Sequence, residues 1–232
     1  EQFYHPYQHT YDSGSQTANA MPLALGLVPD ADRQAVLSNL ISDIHTHNDH
    51  FTAGDIGHHF VIRALGDNSR SDVLFSMLQR KDVSGYRYQL EQGATALPEA
   101  WDANRTSSQD QYMLGGAETW FYTTLAGLNV DMSPRVPDPF IIHPAFLPLL
   151  SWVKCRYRSV LGTISIGWHR SAGAILLDIT VPPNASATLL LPKEALSGVT
   201  ENHRTLDHID GISGVIEKQN ILTCHVASGT YH

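Results

Sequence analysis

The chain has 232 residues, of which 42% are hydrophobic, and a formal net charge of −8 at pH 7. This length is sufficient for one large domain or two smaller ones. No block of about five or more Lys and Arg and no apolar run of about 18 residues occurs, so we expect neither a nucleic-acid partner nor a membrane-spanning helix.

The first half of the chain is predicted to be helical. Apolar side chains at helical spacing indicate helices over 15–27, 30–48 and 55–65, and a fourth that opens at Ser71. In the second helix, Asp30 or Asp32 is expected to cap the N-terminus. Its buried stripe is predicted to consist of Val36, Leu40, Ile41 and Ile44.

An irregular stretch over 84–108 follows, and a fifth helix is predicted over 109–125, rich in aromatic residues and ending at Gly127. The pattern changes after Asp131, where five prolines within 134–148 exclude a long helix. Short strand-like runs separated by turn residues then predict an antiparallel sandwich. These runs cover 140–143, 149–158, 162–170, 174–181 and 187–191, with a tail of the same style that includes 221–226.

Helices first and strands second indicate two packed domains, which we place at 1–131 and 132–232. Helices paired through long loops are typical of a toroid of helical hairpins, and five helices are too few to close one. The chain also begins with Glu1-Gln2-Phe3 and shows no signal peptide. We therefore expect further polypeptide upstream of Glu1.

Glu99 is the strongest candidate for a catalytic residue. It stands between Pro98 and the Ala100-Trp101 pair within an irregular stretch, and loops positioned by helices often carry function. A carboxylate beside an aromatic ring suits glycoside hydrolysis, which usually needs two carboxyl groups, one protonated and one ionised. Trp101 is expected to stack on the apolar face of a sugar. The alternative is an ordinary solvated loop glutamate.

Other acidic residues have structural explanations beside functional ones. Asp102 is either a second acid or a residue that orients the loop through backbone N–H groups. Asp55 opens a helix, so it is either a helix-terminal charge or a ligand contact at the mouth of the helical domain. Glu118 is expected to be a buried structural hydrogen-bonding residue.

The 13 histidines do not predict a metal site, because His45, His47 and His50 lack the i, i+4 spacing of a helical pair. No phosphate-binding glycine loop or nucleophile elbow occurs, so we expect no cofactor. Cys155 and Cys224 are either paired or free, and they assign no compartment. Trp120, Trp152 and Trp168 are predicted to be core residues, although an exposed tryptophan in the strand region would indicate a carbohydrate-binding face.

Five segments, taken together and in this order, resemble the C-terminal half of bacterial α-L-rhamnosidases of glycoside hydrolase family 78. The resemblance covers about residues 11–195. The segments are Ser15–Leu27, Thr52–Gly57, Gly93–Asp102, Tyr112–Tyr122 and Leu177–Ala187.

The resemblance implies a partial (α/α)6 barrel followed by an antiparallel β-sandwich, and an inverting hydrolysis of terminal α-L-rhamnosides. It assigns the general base to Glu99 and places the accompanying tryptophan at Trp101. It puts the general acid upstream of this chain. Pro98 stands where the family usually has Trp, and Gln111 stands where it has a sugar-contacting His. Gln111 still donates hydrogen bonds but carries no charge.

The expected partner is therefore a rhamnose-containing oligosaccharide, polysaccharide or glycoside, with contacts from Trp101, Gln111, Asp55 and Asp102. Two alternatives stay open at this point. One is an (α/α)6 hydrolase that acts on another deoxy sugar or a uronic acid, and the other is a non-catalytic carbohydrate-binding protein of the same fold.

Overall fold

The computed structural model describes residues 2–83, 85–103, 106–133, 138–192 and 198–232. The chain divides into two compact units, 1–120 and 121–232. Helices make up most of the first unit and strands most of the second, which confirms the predicted order. None of the helices in the described residues is long and apolar enough to cross a membrane.

The described part of the first unit begins with a short antiparallel hairpin and continues with six α-helices. A 3₁₀ turn, Tyr112–Gly115, precedes the last of them. The hairpin strands are β1 (Tyr4–His5) and β2 (Thr10–Tyr11), and the helices are α1 (Gln16–Ala24), α2 (Asp30–Thr46), α3 (Asp55–Asp67), α4 (Ser71–Leu78), α5 (Tyr86–Glu91) and α6 (Gly116–Trp120).

Helix α3 lies at the centre of this unit and packs against α1, α4 and α6. Its buried face includes Val61, Ile62 and Leu65, which repeat at helical spacing. Close approach to α1 depends on Gly57, since a Cβ there would lie 2.0 Å from the hydroxyl of Thr17. The predicted stripe of α2 is confirmed, because all four of its side chains are buried.

Three local expectations for this unit are wrong. Pro29 is the N-cap of α2, while Asp30 and Asp32 lie in its first turn, where a carboxylate favours the positive end of the helix dipole. Helix α5 was not predicted, because its buried residue is the polar Gln89 and no apolar stripe marks it. The predicted fifth helix starts later than Gln109 and is a 3₁₀ turn, an α-helix and a π turn in succession.

The second unit starts with that π turn, Phe121–Leu125, and contains two larger sheets. One has five strands in the order β11-β12-β8-β4-β3, and the other has four in the order β13-β7-β6-β5. A separate hairpin pairs β9 (Thr200–Glu201) with β10 (Arg204–Thr205). The remaining strands are β3 (Leu128–Val130), β4 (Phe140–Ile142), β5 (Trp152–Ser159), β6 (Gly162–Ser171), β7 (Ala174–Val181), β8 (Ala187–Pro192), β11 (Ile212–Lys218), β12 (Ile221–Val226) and β13 (Gly229–Tyr231).

Side chains that alternate along these strands form one apolar core. Phe140 and Ile142 on β4, and Ile164 and Ile166 on β6, are almost completely buried. The pairing is antiparallel except between β4 and β8, which are parallel. Parallel neighbours need a long crossover connection, and here β5, β6 and β7 of the other sheet provide it.

Strand β3 precedes the domain boundary predicted at 131/132 and pairs with β4. The contact-based division lies still earlier, between Trp120 and Phe121. The domain limits 1–131 and 132–232 stay predictions.

Two of the three tryptophans expected in the core are buried. The Trp120 indole N–H donates to the Ser71 hydroxyl at 3.0 Å, and that of Trp168 donates to the Leu125 carbonyl at 3.1 Å. Trp152 contradicts the expectation, since it is 60% exposed. It stands on β5 at a position that alternates with the inward-facing Val153 and Cys155, so its side chain points outward.

The cysteines are both free. Cys224 is completely buried on β12 in the five-stranded sheet, and Cys155 lies half-buried on β5 in the four-stranded sheet. Burial raises the pKa of the Cys224 thiol to about 11, so it packs as a small apolar side chain.

Gly127 is the position in the second unit where a side chain is least tolerable. Its φ is +75°, and a Cβ would lie 2.1 Å from the His143 carbonyl carbon. Gly173, with φ of +81°, has no atom within 4 Å of such a Cβ. We expect Gly127→Ala to lower the free energy of unfolding by at least about 3 kcal/mol, and Gly173→Ala by only about 1 kcal/mol, the cost of the left-handed backbone alone. Urea denaturation of both variants measures this, and equal losses would contradict the steric argument.

Candidate active site

Two chain segments, 97–99 and 108–111, run antiparallel and carry Glu99 and Gln111 between them. They meet at a single bridge between Pro98 and Gln109. The Glu99 N–H donates to the Ser108 carbonyl at 3.1 Å, and the Gln111 N–H donates to the Leu97 carbonyl at 2.8 Å. Pro98 is compatible with this bridge because the neighbouring residues supply its hydrogen bonds, and the missing N–H is not needed.

Glu99 is exposed, and its position is fixed by Ser108. Its Oε1 accepts the Ser108 N–H at 3.4 Å, in addition to the backbone bond between the same two residues. The other carboxylate oxygen, Oε2, has no hydrogen-bond donor among the described residues. Glu99 is thus an exposed carboxylate with one oxygen held by a backbone N–H.

The side chain of Gln111 also contacts Ser108. Its Nε2 donates to the Ser108 hydroxyl at 2.7 Å, so Ser108 contacts both Glu99 and Gln111. Just before it, Asp110 has φ of +63°, a conformation that Asp adopts more readily than most residues. The structure therefore brings together two of the residues predicted from the sequence, and the residue that links them is Ser108.

A cluster of aromatic rings supports the turn that carries Glu99. Trp101 stacks on Phe51 with ring centroids 5.3 Å apart and planes within 9°, while His58 and Tyr86 contact it edge-on. The Trp101 indole N–H points to the Ala53 carbonyl at 3.4 Å. Four rings in this arrangement bury a large apolar area and fix the angles between the segments that carry them.

The buried His58 contacts Tyr86. The Tyr86 hydroxyl donates to the Leu114 carbonyl, and its oxygen lies 3.3 Å from His58 Nε2. His58 Nδ1 is buried and has no hydrogen-bond partner among the described residues.

The surroundings of His58 and Tyr86 favour their neutral forms. Burial lowers the pKa of His58 to about 3, with a smaller contribution from the neighbouring His59. Burial also raises the pKa of Tyr86 well above its usual range. The cluster is therefore uncharged near neutral pH, and its hydrogen bonds join helices α3 and α5 to the 3₁₀ turn before α6.

Asp55 and Asp102 lie at the edge of this arrangement. Asp55 is exposed in the first turn of α3, follows the N-cap Gly54, and its Oδ1 accepts the Ile56 N–H at 2.8 Å. Asp102 is exposed and lines a cleft of about 490 Å³ between α5 and the 93–103 segment, with Gln89 and Gln109 also in its wall. The lining of that cleft does not include Glu99.

Two expectations, for Trp101 and Glu118, are wrong. Trp101 is only 8% exposed, so it is a core side chain and does not offer an open ring face to a sugar. Glu118 is exposed rather than buried. His45, His47 and His50 pair with three different aspartates, Asp49, Asp43 and Asp82, and the described residues contain no group of three or more potential metal ligands.

The supporting residues Phe51, His58 and Tyr86 were not identified from the sequence. Phe51 and His58 are far from Glu99 along the chain, and none of the three differs in the sequence from an ordinary core residue. The linking role of Ser108 was also missed. In the sequence it was marked only by the polar run Ser107-Ser108-Gln109 that precedes Gln111.

Comparison with known proteins gives this arrangement a class. The family model described as the bacterial alpha-L-rhamnosidase 6 hairpin glycosidase domain matches residues 1–125, and that of the bacterial alpha-L-rhamnosidase C-terminal domain matches residues 139–206. The chain therefore belongs to the bacterial α-L-rhamnosidase six-hairpin glycosidase family. The predicted fold class, part of an (α/α)6 barrel followed by a β-sandwich, is confirmed.

Individual relatives agree with the family assignment. An alpha-L-rhamnosidase of Streptomyces avermitilis is 24% identical over 212 residues, covering 88% of this chain and 20% of the relative. An alpha-L-rhamnosidase of Formosa agariphila is 24% identical over 201 residues, covering 84% of this chain and 21% of the relative. The chain thus spans about a fifth of the length of these relatives.

Solved structures show the same fold. The alpha-L-rhamnosidase from Dictyoglumus thermophilum superposes with a TM-score of 0.80 and 27% identity, covering 93% of this chain and 25% of that one. The Streptomyces avermitilis alpha-L-rhamnosidase complexed with L-rhamnose gives a TM-score of 0.79 at 23% identity, covering 95% and 21%.

The neutral state of His58 makes the first unit sensitive to acid. Its pKa is lower when folded than when unfolded, so the unfolded chain binds the proton first as the pH falls below about 6.5. The contribution of the neutral His58 to the free energy of unfolding is fully present above that pH and is lost as the pH falls to about 3. We expect the free energy of unfolding to fall by about 2 kcal/mol more in the parent than in His58→Phe between pH 8 and pH 5.

Denaturant titrations at the two pH values measure this difference. The exposed His5→Phe variant shows how much of it comes from removing any histidine. Parallel pH dependences of the parent and His58→Phe would contradict a buried neutral His58.

Proposed function

We propose that this chain supplies the general-base side of an enzyme that hydrolyses terminal α-L-rhamnosides with inversion. The observation that carries the proposal is the placement of Glu99. It is an exposed carboxylate, held by the Ser108 N–H, on a turn that the buried Trp101 anchors. Membership of the six-hairpin rhamnosidase family supports the reaction class.

In the proposed reaction, the ionised Glu99 removes a proton from a water molecule as that water attacks the anomeric carbon. A second carboxyl group protonates the leaving glycosidic oxygen on the opposite face of the sugar. In inverting glycosidases the two carboxyl groups lie roughly 6.5–9.5 Å apart, which leaves room for the water. Glu99 suits the base role because its side chain is exposed and its Oε1 is already bonded to the Ser108 N–H.

The general acid is proposed to lie in polypeptide upstream of Glu1. The family resemblance supports this location, and the chain covers only 20% of the S. avermitilis relative. The substrate is proposed to be a rhamnose-containing glycoside, in keeping with relatives that are named alpha-L-rhamnosidases. Acid–base chemistry by two carboxyl groups calls for no cofactor.

Three polar side chains are proposed to contact the sugar. Gln111 lies on the same ladder as Glu99, and Asp55 follows the Ala53 carbonyl that Trp101 contacts. Asp102 borders the cleft beside α5 and is proposed to contact a more distant part of the substrate. Trp101 is assigned the role of positioning the Glu99 turn, not of stacking on the sugar.

Glu99→Gln tests the base directly. In a polypeptide that joins this chain to its upstream coding sequence, we expect kcat on an aryl α-L-rhamnoside to fall by about 10²–10⁴-fold, because the amide cannot accept the proton from water. Binding should change little, since glutamine keeps the shape. The 232-residue chain alone should show no turnover.

Glu91→Gln is the matched control, because Glu91 is an exposed carboxylate that, among the described residues, pairs with Arg87 at 3.0 Å. It should retain parental kcat. Near-parental turnover by Glu99→Gln, or hydrolysis of other deoxy-sugar or uronic-acid glycosides in preference to rhamnosides, would refute the proposal.

Gln111→Leu separates binding from chemistry. Loss of the amide removes a hydrogen-bond donor from the site while Glu99 and its Ser108 contact stay in place. We expect KM for the rhamnoside to rise by about tenfold, the cost of one lost polar contact, and kcat to change less than KM. The exposed Gln34→Leu on α2 is the control, and an unchanged KM for Gln111→Leu would remove Gln111 from the site.

A further inference from the structure

The outer face of β5 carries a stripe of one aromatic and three basic side chains. Trp152, Lys154, Arg156 and Arg158 occupy alternate positions of the strand, so all four point to the same side of the sheet. All are exposed, and the indole of Trp152 is 60% exposed. Because β5 is the edge of the four-stranded sheet, the stripe lies along an open border.

The three cations of this stripe form no ion pair with any carboxylate of the described residues. Arg170, on the neighbouring strand β6, is different: it donates to the Phe146 carbonyl at 2.6 Å and lies 5.8 Å from the centre of the Trp168 ring. Arg170 is thus part of the packing, while the charges of the stripe remain available to a ligand.

A shallow cleft of about 330 Å³ adjoins Trp152. Its floor includes Gly167, which pairs with Lys154 and has no side chain to fill the space. His169, the cross-strand neighbour of Trp152, and Asp178 form its walls. Asp178 is already engaged by His232 Nδ1 at 2.7 Å, and Lys154 of the stripe also lines the cleft.

Protection of a sheet edge explains only part of this pattern. Lys and Arg on an edge strand prevent pairing with other chains, and three of them are sufficient for that purpose. An exposed tryptophan in the same row works against it, since a large apolar ring promotes association. The combination of an open ring, a cleft and unpaired cations instead fits a ligand with an apolar face and negative charges.

We propose that the stripe Trp152–Lys154–Arg156–Arg158 binds an acidic oligosaccharide that carries carboxylate groups, as uronic acids do. A sugar ring stacks on Trp152, and the carboxylates of following sugars contact the cations, which repeat every 6.8 Å or so along the strand. The chain as a whole has a net charge of −8, so this stripe is a local group of positive charges on an acidic protein. The site lies in the second unit and is independent of Glu99.

Binding of oligogalacturonate to the 232-residue chain, measured by titration calorimetry, tests the proposal. We expect binding at about 50 mM NaCl that weakens by about tenfold or more at about 500 mM. The fully methyl-esterified oligosaccharide has the same sugars without charge and should bind at least about tenfold more weakly.

Two variants locate the site. Trp152→Ala, and the triple change of Lys154, Arg156 and Arg158 to Gln, should each weaken binding about tenfold or more. A control triple change of the exposed Arg63, Lys81 and Lys218 to Gln removes the same charge elsewhere and should bind as the parent does. Thermal unfolding of every variant verifies that it is folded.

Glu99→Gln should bind oligogalacturonate as the parent does, so failure of this site and failure of the proposed reaction give different results. Four outcomes overturn the proposal: no binding by the parent, equal binding of the charged and esterified ligands, undiminished binding by the stripe variants, or equally tight binding of a single-stranded oligonucleotide at the same salt concentration.

Discussion

The stacking of Trp101 on Phe51 is the interaction on which the candidate active site depends. It joins the segment that leads into α3 to the turn that carries Glu99, which lie about fifty positions apart in the chain. His58 and Tyr86 close the cluster, and the Tyr86 hydroxyl extends it to the Leu114 carbonyl. An irregular segment acquires a fixed shape in this way, because its one large apolar side chain is anchored in the core.

A few hydrogen bonds hold the loop that carries Glu99 and Gln111 next to this cluster. The Pro98–Gln109 bridge sets the two arms of the loop side by side, and Ser108 contacts both Glu99 and Gln111. The same loop conformation buries Trp101 and exposes Glu99, which lies two positions earlier in the chain. A rigid support beneath an accessible polar group is what precise chemistry needs.

The second unit differs from the first in one exposed tryptophan. In the first, Trp101 and Trp120 are buried and their indole N–H groups point to acceptors within the unit. In the second, Trp168 behaves in the same way, but Trp152 stands outside on an edge strand beside three cations. The buried Trp101 thus supports the turn that carries Glu99, whereas the exposed Trp152 is itself part of a surface.

The sequence by itself determined the order of helices and strands, most strand positions, the family and Glu99 as the leading carboxylate, because periodicity and short motifs are local properties. It did not determine that Trp101 is buried, that Ser108 links Glu99 to Gln111, that α5 is a helix, or that Trp152 is exposed. Those outcomes depend on which residues distant in the chain come into contact, and only the tertiary structure decides that. Neighbours in space decide which side of a strand or turn faces the core. The local sequence around an aromatic residue therefore does not distinguish a buried ring from an exposed one.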